Sequence, residues 1–244
     1  MGVRGWIKAA GRGALDLLYP RVCLGCRAGL HGTDRHHLCA RCETALPRFG
    51  PEACPKCGMG LGPGAPVGAR CPDCSGRPLA FAGAVALGPY RDLLRDLILQ
   101  LKLGGERSAA GDLGRLLAGR VAGDARAVAI DAVVPMPLHP DTESRRGYNQ
   151  AALLAAPVAR RLGRPLLADV LIKAKVTFPQ ATLEAARRAG NIAGAFAVRR
   201  PWRVAGLRVL LVDDVMTTGA TASEAAAVLV DAGAADVLVA VAGR

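Results

Sequence analysis

The stretch from residue 209 to residue 221, VLLVDDVMTTGAT, constrains the fold of this chain more than any other. Its four apolar residues, 209–212, predict a short buried strand, and the Ala-rich segment after Gly219 predicts a helix. Two carboxylates, Asp213 and Asp214, stand at the end of the strand. A strand that leads through an acidic pair and a glycine turn into a helix is typical of an open α/β sheet, where ligands bind at the carboxyl ends of the strands.

The residue types in this stretch favour a phosphorylated sugar as the ligand. A helix N-terminus has unpaired backbone N–H groups and a positive partial charge, which suit a phosphate, and Gly219 permits close backbone approach. Carboxylates accept hydrogen bonds from sugar hydroxyls, so Asp213 and Asp214 are predicted to hold a ribose. The alternative is an ordinary capped helix, because Thr, Asp and Gly are common at helix starts and turns. The predicted phosphate-binding residues are Val215, Met216, Thr217, Thr218, Gly219, Ala220 and Thr221.

Four CxxC pairs between residues 23 and 74 contain all eight cysteines of the chain. Pairs with this spacing are typical of zinc sites with four cysteine ligands. A disulfide scaffold is the alternative, but the start of the chain shows no secretory signal, so we expect a cytoplasmic protein with reduced cysteines. The predicted zinc ligands are Cys23, Cys26, Cys39, Cys42, Cys54, Cys57, Cys71 and Cys74.

The four CxxC pairs, which we call knuckles, can be combined into two zinc sites in two ways. Sequential pairing, first with second and third with fourth, is favoured because each half then forms a self-contained ribbon, but nearly even spacing also permits an interleaved arrangement. His31, His36 and His37 lie in the first loop and are alternative ligands. Because four thiolates leave no open coordination position, about two structural zinc ions are predicted rather than a catalytic one.

Charge and hydropathy narrow the classes of partner. The formal net charge of +12 favours anionic partners such as nucleotides or nucleic acids. Each zinc site with four thiolates has a formal charge of −2. Two such sites reduce the net positive charge of the segment that contains the cysteines. No segment reaches the roughly 18 continuous apolar residues of a membrane span, so no such span is predicted.

From residue 82 onward, strand and helix patterns alternate, which predicts a mainly parallel sheet flanked by helices. We therefore expect an N-terminal helix and a double zinc ribbon over residues 1–80, and an α/β domain over residues 81–244. The predicted strands cover 82–88, 127–137, 166–174, 206–215 and 235–242. The predicted helices cover 90–105, 108–122, 149–163, 181–191 and 219–232, with a loop over 135–149.

Three further strings, YRDLLRDLILQLKLGG (90–105), VVPMPLHPDTESRRGYNQAALLA (133–155) and KAKVTFPQATLEAARRAGNIAGAF (173–196), support a specific resemblance. Together with the CxxC pairs and DDVMTTGAT, they resemble the ComF family, the ComFC-type competence proteins. DDVMTTGAT itself is similar to the signature with which type I phosphoribosyltransferases bind phosphoribosyl pyrophosphate (PRPP). The resemblance implies a type I phosphoribosyltransferase-like fold behind a small double zinc ribbon with four cysteines per zinc. It also implies a role in DNA uptake, with single-stranded DNA and an uptake helicase as partners.

The resemblance also implies roles for individual residues. Asp213 and Asp214 would hold the ribose hydroxyls and stabilise the developing sugar cation, while Mg²⁺ would accompany PRPP. Arg145 and Arg146 would contact the pyrophosphate. A loop that closes over PRPP would contribute Lys173, Lys175 and Arg188, with Lys173 standing where family members commonly have Arg. Three functions stay open: DNA uptake with a PRPP site, an active phosphoribosyltransferase of nucleotide metabolism, and a PRPP sensor that binds a partner protein.

Overall fold

The computed structural model describes residues 21–30, 36–66, 68–74, 76–173 and 194–244. The chain forms two compact units, Met1–Leu46 and Pro47–Arg244. The predicted domain boundary at residues 80 and 81 lies inside the second unit, because the third and fourth CxxC knuckles pack in its core. Whether residues 1–80 act together as a domain stays a prediction, and the predicted N-terminal helix lies outside the described residues.

A four-stranded sheet forms the centre of the larger unit. Its strands are β1 (Gly83–Gly88), β2 (Ala132–Pro135), β5 (Arg208–Val215) and β6 (Asp236–Gly243), in the order β1-β6-β5-β2. All three pairings in this sheet are parallel. Two three-residue strands, β3 (Leu171–Lys173) and β4 (Phe196–Val198), pair antiparallel in a separate sheet.

Six α-helices are present in the described residues. The short helix α1 (Ala40–Ala45) belongs to the smaller unit, and the other five surround the sheet. They are α2 (Asp92–Leu103), α3 (Ser108–Ala122), α4 (Pro140–Arg146), α5 (Gln150–Leu162) and α6 (Ala220–Asp231). Short 3-10 turns cover Pro72–Cys74, Ala125–Ala129 and Pro201–Arg203.

Helices and other segments cover both faces of the sheet, and the side chains on both faces are buried. Along β6, Val237, Val239 and Val241 pack in one cluster with α6 residues and the second group of four cysteines. Successive side chains of a strand point to opposite faces, so the equally buried residues between them face the other side, where α2, α3 and α5 contact the sheet. The predicted α/β class, a mainly parallel sheet flanked by helices, is confirmed.

The loop predicted over 135–149 is wrong in part, because helix α4 forms within it. Pro140 occupies the first turn, where its missing N–H costs no hydrogen bond. The His139 side chain accepts a hydrogen bond from the Asp141 N–H, and Gly147 ends the helix with a φ of 79°. Helix α5 runs through Pro157, whose ring packs against Gly114 of α3.

Two predicted strands are shorter than the sequence suggests. Within 127–137, only Ala132–Pro135 is a strand, because Asp124 caps the preceding 3-10 turn by accepting a hydrogen bond from the Arg126 N–H. Within 166–174, only Leu171–Lys173 is a strand. Helix 181–191 lies outside the described residues. The strand β4 was not predicted.

Candidate functional site

The carboxyl end of β5 and the start of α6 enclose a small pocket. Its lining residues are Asp213, Val215, Met216, Thr217, Gly219, Ala220, Thr221 and Ala222. The pocket has a volume of ≈ 50 Å³ and is partly open to solvent. The pocket therefore brings together Asp213 and most of the predicted phosphate-binding residues.

The turn between β5 and α6 depends on Gly219. Its φ of 84° lies in the left-handed region, and it stands directly before the first residue of α6. A Cβ at this position would meet Leu79, Phe81 and Met216 at 3.6 Å. Thr218 Oγ1 accepts a hydrogen bond from the Ala220 N–H at 3.3 Å. The first turn of α6, whose backbone N–H groups lack intrahelical partners, thus lines the pocket.

The two carboxylates of the acidic pair differ in environment, since neighbouring residues of a strand point to opposite faces. Asp213 is half-buried and lines the pocket. Asp214 is 3% exposed, and its Oδ1 lies 3.0 Å from Nζ of Lys102 on α2. Its Oδ2 is buried without a hydrogen-bond partner among the described residues. Asp213 thus lines the pocket, while the adjacent Asp214 forms a buried ion pair with Lys102.

The proton affinity of Asp213 is strongly perturbed. Burial, followed by repulsion from Asp214, raises the pKa of Asp213 to about 8, although the ammonium of Lys102 acts in the opposite direction. The Asp214 N–H donates to Asp213 Oδ1 at 2.8 Å, which also favours the ionised form. A carboxyl group with a perturbed pKa in a pocket is typical of ligand-binding and catalytic sites.

The predicted basic residues fall in three places. Lys173 ends β3, and its Nζ lies 5.8 Å from the centre of the Phe196 ring. Burial lowers the pKa of Lys173, while the nearby charge of Asp213 acts to raise it. Arg145 and Arg146 form the last turn of α4, where Arg146 donates a hydrogen bond to Gln150. The predicted loop residues Lys175 and Arg188 lie outside the described residues.

The eight cysteines form two groups of four, which we call the first tetrad (Cys23, Cys26, Cys39, Cys42) and the second tetrad (Cys54, Cys57, Cys71, Cys74). Within each tetrad, all sulfur atoms lie within 4.8 Å of one another. The closest Sγ–Sγ distances, 3.3 to 3.8 Å, suit the edges of a zinc tetrahedron, about 3.8 Å for Zn–S bonds of about 2.3 Å. The favoured sequential pairing is the observed one, and all eight cysteines are free of disulfides.

Backbone hydrogen bonds favour the thiolate form of one cysteine in each tetrad, whereas burial raises the pKa of Cys42, Cys57 and Cys74. Burial raises the pKa of the Cys54 thiol, but the backbone N–H groups of Cys71 and Cys57 outweigh it and bring the pKa down to about 6. Burial also raises the pKa of Cys23, and the N–H of Cys39, at 3.3 Å from its sulfur, helps to lower it to about 6. The residues present therefore fit two structural zinc ions, each held by four thiolates.

Metal analysis tests the two tetrads directly. The purified protein is expected to contain about two zinc ions per chain, and Cys71→Ser about one, because that thiolate completes a closed site. His36→Ala and His37→Ala are matched controls that should retain both ions, since neither histidine belongs to a tetrad. His31 lies outside the described residues. A folded protein that is metal-free and disulfide-bonded would contradict the prediction.

Two residues near the site were missed by sequence reasoning. Lys102 continues the buried face of α2, four residues after Ile98, and a lysine in an apolar stripe is a signal that could have found it. Arg244 donates hydrogen bonds to the carbonyls of Met216 and Thr217, and nothing in the sequence pattern indicated this.

Tyr148 and Asn149 stabilise the local fold at the start of α5. The Asn149 side chain accepts hydrogen bonds from Ala151 N–H and Ala152 N–H at the start of α5, and donates one to the Met136 carbonyl. Tyr148 is buried, and its hydroxyl donates to the Leu101 carbonyl.

Across the described ranges, no helix combines the length and apolarity that a membrane crossing requires.

Known proteins resemble this chain over most of its length. The family described as the double zinc ribbon domain matches residues 14–75. DNA utilization protein YhgH of Salmonella typhimurium is 34% identical over 226 residues, covering 91% of this chain and 96% of that protein. Competence protein F of Haemophilus influenzae is 32% identical over 210 residues, covering 83% of this chain and 87% of that protein.

Among solved structures, this chain is similar to glutamine PRPP amidotransferase from B. subtilis, complexed with ADP and GMP. The matched region covers 55% of this chain and 26% of the amidotransferase chain. The sequence identity is 26% and the TM-score is 0.37. The double zinc ribbon is confirmed by the family match and by the two tetrads. On the identity and coverage of the curated relatives, the chain belongs to the ComF family of competence and DNA utilization proteins.

Proposed function

We propose that this protein serves DNA uptake or utilization and binds PRPP in the pocket between β5 and α6. The observation that carries the proposal is the pocket itself, where Asp213 faces the Thr217–Thr221 turn and the first turn of a 12-residue helix. This arrangement offers a carboxyl group for sugar hydroxyls beside backbone donors for a phosphate. The names of the curated relatives support the biological context.

In this proposal the 5-phosphate lies against the turn, where Thr217, Thr218 and Thr221 add hydroxyl donors to the backbone N–H groups. Asp213 accepts hydrogen bonds from the ribose, and Asp214 supports it through its ion pair with Lys102. Mg²⁺, when bound with PRPP, supplies positive charge for the ligand's oxygens. Lys173, together with the predicted loop residues Lys175 and Arg188, provides cations for the pyrophosphate.

Arg145 and Arg146 complete the proposed pyrophosphate contacts. They end the helix that follows β2, and β2 is the direct neighbour of β5 in the sheet. The carboxyl ends of parallel strands meet at the same edge, which supports the proposal that these guanidinium groups act at the edge that carries the pocket. Guanidinium groups suit phosphate oxygens because they offer donors in a fixed fork.

Single-stranded DNA and an uptake helicase are the proposed macromolecular partners, in the cytoplasm. The formal net charge of +12 supports a polyanionic partner. The closed four-cysteine tetrads support a structural rather than catalytic contribution from zinc. The competing function, phosphoribosyl transfer, needs an acceptor group in addition to the PRPP pocket.

Isothermal titration calorimetry with PRPP and Mg²⁺ tests the pocket. We expect the wild-type protein to bind, and Asp213→Ala to bind at least about tenfold more weakly, because the hydrogen bonds between the ribose hydroxyls and the carboxyl group are lost. Asp231→Ala, at the exposed far end of the same helix α6, is the matched control and should bind like the wild type. Equal affinity of wild type and Asp213→Ala would overturn the assignment. Release of pyrophosphate that depends on an added base would favour the transferase.

A further inference from the structure

The second tetrad is joined to the pocket by a single side chain. Nε of Arg244 donates a hydrogen bond to the carbonyl of Cys57 at 3.0 Å. Nη1 of the same guanidinium donates to the carbonyl of Met216 at 3.3 Å and to that of Thr217. One rigid, planar group therefore contacts both a cysteine knuckle and the turn that lines the pocket.

The backbone of Arg244 is also fixed, so the guanidinium has a firm base. Its N–H donates to the Gly88 carbonyl at 3.0 Å, and its carbonyl accepts from the Tyr90 N–H at 2.9 Å. These bonds extend the pairing of β1 with β6 by one residue. The side chain thus reaches from an ordered sheet edge.

The contacts with Met216 and Thr217 orient the peptide groups of the turn. In a trans peptide unit, the carbonyl and the following N–H point in opposite directions. When the carbonyls of residues 216 and 217 face Arg244, the N–H groups of Thr217 and Thr218 face away from it. Arg244 therefore determines the direction of two donors in the predicted phosphate-binding turn.

A second route connects the same knuckle with the same turn. Nζ of Lys56 donates to the carbonyls of Leu79, at 3.1 Å, and Phe81. The side chains of Leu79 and Phe81 in turn approach Gly219, where a Cβ would meet them at 3.6 Å. The segment is tied to α6 as well, since the Ala80 N–H donates to Ser223 Oγ at 2.9 Å.

We propose that Arg244 is a positioning residue through which the second tetrad and the pocket influence each other. The proposal rests on the proposed function, with zinc as the metal and PRPP as the ligand. Zinc fixes the Cys57 knuckle, the knuckle holds Arg244, and Arg244 holds the donors of the turn. By thermodynamic linkage, PRPP in the pocket must then strengthen zinc binding by the second tetrad, which we expect to observe as slower zinc release.

The test compares wild type with Arg244→Ala and Arg244→Lys, and with Arg95→Ala on the exposed surface of α2 as the control. PRPP affinity is measured by calorimetry, and zinc release is measured with a colorimetric chelator, with and without PRPP. Arg244→Ala is expected to weaken PRPP binding about tenfold and to speed the release of one of the two zinc ions. Arg244→Lys should lie between, because an ammonium lacks the fork that reaches both sides.

Coupling between the pocket and the second tetrad predicts a specific effect of PRPP on zinc release. PRPP should slow the release of one zinc ion in the wild type and in Arg95→Ala, and should slow it clearly less in Arg244→Ala, where only the route through Lys56 remains. A general loss of stability would instead speed the release of both ions. Unchanged PRPP affinity together with unchanged zinc release in Arg244→Ala would overturn the proposal.

A failure of the proposed ligand is distinguishable from a failure of the coupling. If the wild type does not bind PRPP, the proposed function is wrong, and ligand-free zinc release then decides the role of Arg244. Faster release of one ion from Arg244→Ala supports a link to the Cys57 knuckle, and an unchanged rate overturns it. Circular dichroism of each variant confirms that the comparison is made between folded proteins.

Discussion

Replacing Lys102 by methionine is expected to lower the free energy of unfolding by about 3 kcal/mol, because it leaves the buried carboxylate of Asp214 without its ion-pair partner. Asp214 is 3% exposed, and Lys102 provides its contact at 3.0 Å. The Oδ2 atom of Asp214 already has no hydrogen-bond partner among the described residues, so little else can compensate the charge. Urea denaturation followed by circular dichroism measures the loss.

The two members of the pair should respond unequally. Asp214→Asn leaves Lys102, whose side chain is 27% exposed, able to reach water, so it is expected to cost less than Lys102→Met. The double variant Lys102→Met/Asp214→Asn should recover part of the loss because no uncompensated buried charge remains.

Arg95→Met is the matched control for this prediction. Arg95 and Asp96 form an exposed pair on the same helix, so its loss should cost less than about 1 kcal/mol. If Lys102→Met were as stable as Arg95→Met, the ion pair with Asp214 would have no structural importance. The proposal that the Lys102–Asp214 ion pair supports Asp213 in the pocket would then have to be abandoned.

The elements that sequence analysis predicts well are those with strong local signals. The strands around 83–88, 208–215 and 236–243 are continuous apolar runs, and such runs are typical of parallel strands buried on both faces. Each CxxC pair carries its own local geometry, so the eight zinc ligands follow from spacing, while the structure decides how the pairs combine into tetrads. The turn at Gly219 follows from residue type, since its left-handed φ suits glycine.

The parts that sequence analysis misses depend on tertiary contacts. Strands β3 and β4 are only three residues long and are separated by 22 residues of chain, so neither has a local pattern of its own. Met59 and Leu61, beside the third knuckle, pack against the cluster that contains the second tetrad and α6, and no local sequence pattern indicates these contacts.

Asp213 and Asp214 also show that the sequence does not reveal tertiary contacts. The sequence assigned Asp213 and Asp214 a shared role at the end of β5. The period of two along a strand requires neighbouring side chains to face opposite ways, but only the packing of α2 shows which one meets a lysine. Lys102 precedes Asp214 by more than one hundred residues, and no local pattern links them.

Replacing Asp213 by asparagine is expected to stabilise the ligand-free protein, and more so at pH 8 than at pH 5. Burial, and then repulsion from Asp214, raise the pKa of Asp213 from 3.8 to about 8 in the folded protein. In the unfolded chain the same carboxyl ionises near pH 4. The folded protein therefore holds a proton that the unfolded chain releases between about pH 4 and pH 8.

The sign of the effect follows from this difference in bound protons. A raised pKa gives a contribution to stability that is complete below about pH 4 and is lost as the pH rises to about 8. Asparagine does not ionise, so the variant avoids that loss. The difference in melting temperature between Asp213→Asn and wild type should therefore grow from pH 5 to pH 8 and then level off.

Thermal unfolding at pH 5, 6.5, 8 and 9, without ligand, measures this difference, with Asp231→Asn at the exposed end of α6 as the control. The control should differ from wild type by the same amount at pH 5 and pH 8. A carboxyl group that lowers stability at neutral pH needs a reason to be kept, and ligand binding provides one. A difference between Asp213→Asn and wild type that does not change with pH would mean that Asp213 ionises normally, and would remove this argument for a functional pocket.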